Sequence, residues 1–149
     1  MDASKCSELV ENIFVAWEDL AVPNPTNLIH FASEEGNAAV SFFSGKSLRE
    51  LKYCDVMFEN VSIFWMDEAA IVYYFGGYLV NMLMTLCSGD RINYATIGTI
   101  DSLLTDNNWR KTLEASLTPR CKQVTYRAVE FFNLNAGDRE FLSSIKEWK

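Results

Sequence analysis

The chain has 149 residues and a net charge of −7, with 49% hydrophobic and 22% charged residues. This length suits one domain, and the balance is too apolar for a disordered chain. Seven glycines and three prolines are too few for a many-turned β-sandwich, so the expectation is all-α: a single helical domain over 1–149 with six to eight helices, and at most a minor short strand near 61–65.

Leu9, Val10, Ile13, Phe14, Trp17 and Leu20 recur at three-and-four spacing, which predicts a first helix from about Ser4 to Leu20. Glu8, Glu11, Glu18 and Asp19 fall largely on its other side. Pro23 and Pro25 end it, because each disfavours helical geometry in the residue before, and Thr26 is placed to cap a short turn through Leu28, Ile29 and Phe31. Glu34 to Phe43 reads as a second helix stopped at Ser44-Gly45. Ser47 and Glu50 form a capping-box pair for a segment carrying Leu48 and Leu51. VSIFW (61–65) reads as an apolar loop, with a short strand as the alternative.

Asp67 is the expected N-cap of the next helix, and residues 69–87, AAIVYYFGGYLVNMLMTLC, carry no charge at all. Nineteen helical residues span roughly 28 Å, enough for a bilayer. Asp67, Glu68, Asp90 and Arg91 flank the stretch without a basic cluster, Asn81 lies inside it, and Tyr73, Tyr74 and Tyr78 sit mid-segment rather than at the ends. The reading is a buried central helix, kinked or broken at Gly76-Gly77. Further on, Asp106 or Asn108 opens a helix with Trp109, Leu113 and Leu117. Thr118-Pro119 opens another, carrying Cys121, Val124, Ala128, Phe131 and Phe132. Asn135-Ala136-Gly137 breaks the chain, and Asp138 caps a last helix with Phe141, Leu142, Ile145 and Trp148.

Chemistry is hard to find. Cysteines at 6, 54, 87 and 121 form no CxxC pair, and the first residues lack a basic stretch followed by an apolar one. The expectation is therefore a cytoplasmic protein with four free thiols, in which the Asn60-Val61-Ser62 sequon has no consequence. Gly45-Lys46-Ser47 is not a P-loop, since Val40 stands where glycine is required, and Gly76-Gly77 is no dinucleotide fingerprint. His30, the only histidine, could join Glu34 and Glu35 at a metal, but a surface salt-bridge cluster explains them better. No catalytic residue, cofactor or metal is predicted, and enzyme function is left open with the balance against it.

Three stretches, FFSGKSLREL (42–51), IFWMDEAAIVYYFGGYLVNML (63–83) and LTPRCKQVTYRAVEFF (117–132), resemble in order and spacing a family of small, mostly bacterial proteins known as a domain of unknown function. The chain departs from that pattern at Gly76-Gly77, where the family tends to Pro-Ala, at Cys121, where glutamine is common, and at Leu48, where tryptophan is expected. These departures support a helix break at Gly76, since proline and glycine both interrupt helices; no activity comes with the resemblance, which names a fold group and no function.

Charge gives the remaining lead. Thirteen acids face four bases up to Asp90, and seven face nine from Arg91 onward. Nucleic acid and membrane are not expected partners; Arg110, Lys111, Arg120, Lys122 and Arg127 read as a solvated face. The functional expectation is an acidic module of immunity or antitoxin type that neutralises a basic protein such as a toxin. Its surface would be Glu8, Glu11, Glu18, Asp19, Glu34 and Glu35, with no basic residue between Glu8 and Glu35. The alternative is a small metabolic or regulatory protein with a pocket near Trp65, Tyr73, Tyr74 and His30.

Overall fold

The computed structural model describes residues 2–29, 34–53, 62–89, 91–136 and 141–149. Among them are six α-helices: α1 (Ala3–Trp17), α2 (Glu34–Phe43), α3 (Glu68–Cys87), α4 (Tyr94–Thr105), α5 (Asn107–Ser116) and α6 (Pro119–Ala136). Tighter 3₁₀ turns occupy Pro25–Asn27, Leu48–Glu50, Ser62–Trp65 and Phe141–Trp148. No strand occurs among the described residues; the 62–65 segment is a turn, and one antiparallel bridge joins Ile29 to Met66.

Local chemistry sets most helix ends. Asp2 accepts from the N–H groups of Ser4 and Lys5 and starts α1; Asp106 accepts from those of Asn108 and Trp109 and starts α5. The Thr118 hydroxyl accepts from Cys121 N–H, with Pro119 at the first position of α6. After α2 the chain turns at Gly45, whose φ of +69° is open to glycine at little cost. Asn24, not Thr26, caps the Pro25 turn, taking both the N–H and the hydroxyl of Thr26. The C-terminal segment is 3₁₀ rather than α, with Ile145 outside helical geometry. Cys54 and Asp138 lie outside the described residues.

The central helix runs unbroken through Gly76-Gly77, which corrects the expected kink. The glycine has a tertiary purpose: a Cβ on Gly76 would stand 2.7 Å from Trp17 Cε2 and 2.7 Å from Leu48 Cδ1. The missing side chain lets α1 lie close against α3, and the Trp17 indole donates to the Val72 carbonyl one turn earlier (3.3 Å). Fifteen residues of α3 are buried, with α1, α4, α5 and α6 packed against it. The helix is long and apolar enough to cross a membrane, and 83% of its apolar window is covered by the protein itself. Its one buried amide, Asn81, is satisfied: it donates to Tyr53 O (2.5 Å) and accepts from Asn93 (3.3 Å) and the Thr96 hydroxyl (2.9 Å).

The cysteines depart from expectation. Cys6 in α1 and Cys87 at the end of α3 form a disulfide, 81 residues apart in sequence. Helical packing brings two residues together that no sequence spacing connects. Cys121 is free and buried; it donates to Ala16 O, and burial pushes its thiol pKa up.

Candidate functional site

The acids singled out in the sequence occupy two supports. Glu8, Glu11, Glu18 and Asp19 are exposed on α1 and just beyond it, whereas Glu34 is exposed at the start of α2, which packs chiefly on the 62–65 turn. The side chain of Glu35 and all of His30 lie outside the described residues.

The α1 cluster is not the uncompensated surface that the sequence predicts. Glu8 pairs with Lys5 (3.0 Å). Arg49, from the Leu48–Glu50 turn, grips Glu11 with both terminal nitrogens (3.0 and 2.6 Å) and reaches Glu18 at 3.4 Å. Its guanidinium also lies over the Phe14 ring, 4.9 Å from the centroid. The Arg49 hydrogen bond holds the Glu11 carboxyl below its usual range, and Glu11 in return raises the guanidinium. Linear distance hid this base. It stands 38 residues from Glu11.

Buried tyrosines fix Arg49 in place. Leu48 N–H donates to the Tyr73 hydroxyl (3.2 Å), and the Tyr53 hydroxyl donates to Leu48 O (2.6 Å), so both backbone groups of the residue before Arg49 are held. The Tyr74 hydroxyl is shared between the carbonyls of Phe43 (2.7 Å) and Lys46 (2.9 Å), which secures the end of α2. Glu50 accepts from Ser47 N–H and closes the turn. Burial raises the pKa of all three phenols, which keeps them protonated, with Tyr53 and Tyr74 as donors and Tyr73 as an acceptor.

Arg49 also lines a cleft of about 250 Å³ whose walls include Phe14, Trp17, Glu18, Leu48 and Tyr73. Of the described residues assigned to an aromatic pocket, Trp65, Tyr73 and Tyr74, only Tyr73 lines it. Tyr74 is fully buried with its hydroxyl engaged, and Trp65 is half-buried on the turn before α3. Among the described residues no group of three or more histidine, cysteine or acidic side chains could hold a metal. Of the basic residues on α5 and α6, Arg110 is bound to Ser144 O and Asn107. Comparison with family models, curated proteins and solved structures finds no match.

Proposed function

We propose that this protein is a binding module that meets a basic protein through the carboxylates of α1, in the manner of an immunity or antitoxin protein covering a toxin. The observation that carries the reading is the fixed presentation of those carboxylates. Arg49, anchored through Leu48 by two tyrosines, holds Glu11 and the edge of Glu18 in one arrangement. Glu18 and Asp19 remain exposed beside it. Groups fixed before encounter lose little freedom on binding, and an acidic surface steers a basic partner toward itself.

Glu18 and Asp19 are therefore the residues to reverse: Glu18 meets Arg49 through one contact at 3.4 Å, whereas changing Glu11 would remove the partner that Arg49 grips with both nitrogens. The assay takes the product of the gene immediately upstream as partner and follows association kinetics at rising ionic strength. Glu18→Lys with Asp19→Lys should slow association about tenfold or more at low salt and flatten its salt dependence. A folded double variant that associates at the parental rate would overturn the assignment of this face.

A further inference from the structure

The two half-cystines sit where a covalent bond has an unusual amount to hold. Across the N-cap and the start of α1, the residues from Asp2 to Glu8 are exposed except Cys6, the one buried side chain among these described residues. From Leu9 onward the helix is held by its own apolar face, through Ile13, Ala16 and Trp17. The partner sulfur is at the C-terminal end of α3, on its exposed side: Cys87 is partly exposed, Met84 is 40% exposed, and Ser88 and Gly89 face water. The bond lines an open cleft of about 380 Å³ whose walls come from both helices, with Val10 of α1 and Leu83 and Met84 of α3 among them.

We propose that the Cys6–Cys87 disulfide is a reducible latch, and that opening it frees the first two turns of α1 while the rest of the helix stays docked. The reductant is a small dithiol or a dithiol protein. Its thiolate attacks Sγ of Cys87, the sulfur on the partly exposed residue, and Sγ of Cys6 leaves as a thiolate that takes a proton from water. The second thiol of the reductant then displaces Cys87 and becomes a disulfide itself. The protein gains two electrons and two protons, and a low-molecular-weight disulfide reverses the step. With the latch open, residues 3–8 keep only the Asp2 cap and exposed helical contacts, and a helical end of that length is marginal alone. Val10, Leu83 and Met84 become more open to solvent. The latch acts whether or not α1 meets a basic partner.

The test uses the intact protein without denaturant. Dithiothreitol is added, thiols are trapped by alkylation and mapped by peptide mass, and amide hydrogen exchange is followed in parallel. Reduction should expose Cys6 and Cys87 to alkylation, raise exchange of amides 6–10 at least tenfold, and leave α6 residues 124–132 unchanged. The double variant Cys6→Ser/Cys87→Ser should show the reduced exchange pattern with no response to dithiothreitol. A bond that resists reduction until the whole chain unfolds would overturn the latch, as would reduction that leaves α1 protection intact. Exchange that rises equally across α6, or a double variant without native helical circular dichroism, would overturn it too, because the rest of the fold must survive.

Discussion

Replacing Gly76 by alanine tests how the core is assembled, because two physical effects oppose each other at one atom. Alanine in a helix interior is better than glycine by about 1 kcal/mol. Against that, the new methyl would sit 2.7 Å from Trp17 Cε2, 2.8 Å from Trp17 Cδ2 and 2.7 Å from Leu48 Cδ1. Leu48 is nearly buried and held at both backbone groups. Trp17 is 1% exposed and tied to Val72 O, so it can move only by losing a hydrogen bond worth about 1 kcal/mol. Overpacking of this kind costs roughly 1–3 kcal/mol, and with the hydrogen bond the cost exceeds the propensity gain. Gly76→Ala should destabilise the protein by about 1–3 kcal/mol, which for this size lowers Tm by on the order of 3–9 °C. Gly98 provides the control: it lies within α4, and a Cβ there meets nothing within 4 Å. Gly98→Ala should stabilise by about 0.5–1 kcal/mol. Urea unfolding followed by tryptophan fluorescence and circular dichroism measures both. If Gly76→Ala is as stable as the parent, the close approach of α1 to α3 is wrong.

Two further outcomes are expected. The disulfide closes a loop with 81 residues of separation, so the chain-entropy relation gives about 4.5 kcal/mol of stabilisation; the Cys6→Ser/Cys87→Ser variant should lose most of it in urea unfolding, and a loss under about 1 kcal/mol would contradict the pairing. The phenols of Tyr53, Tyr73, Tyr74 and Tyr78 have raised pKa values through burial. Their contribution is complete below the unfolded value near pH 10 and is lost as pH rises above it, since only the unfolded chain releases these protons there. Tyrosinate absorbance from these four should thus appear in the same alkaline step as the loss of helix. Ordinary phenol titration with native circular dichroism would refute this.

Elements whose causes are local were legible in the sequence. Asp106, Thr118-Pro119 and Ser44-Gly45 each act within a turn or two, and the structure places helix ends at them; the stripe of α1 is there too, but the helix stops at Trp17 rather than Leu20. Helix α4 escaped the sequence reading although Asn93 caps it and Ile97, Ile100, Leu103 and Leu104 line its buried side. Three threonines and Gly98 dilute the helical signal, and Thr96 and Thr99 are buried where an amphipathic pattern expects apolar groups. Gly76-Gly77 misled for the opposite reason: propensity describes an isolated helix, whereas here the indole of Trp17 occupies the space. At the candidate site the acids were evident and the base was not. Arg49 and the Cys6–Cys87 bond join residues far apart in the chain, and only packing reveals such pairs.

The way α1 is covered bears on how the protein is made. Part of its buried side rests on α6, where Cys121 Sγ donates to Ala16 O across 105 residues. Synthesis runs from the N-terminal side at about 5–20 residues per second, so the segment bearing Leu9, Ile13 and Trp17 emerges several seconds before α6 exists to shield it. During that interval an apolar helix waits with one side open, a state that favours contact with other nascent chains or with a chaperone. The contacts that finish α1 are made only after α6 has followed it out, and a stall between α5 and α6 would leave the core on this side unclosed.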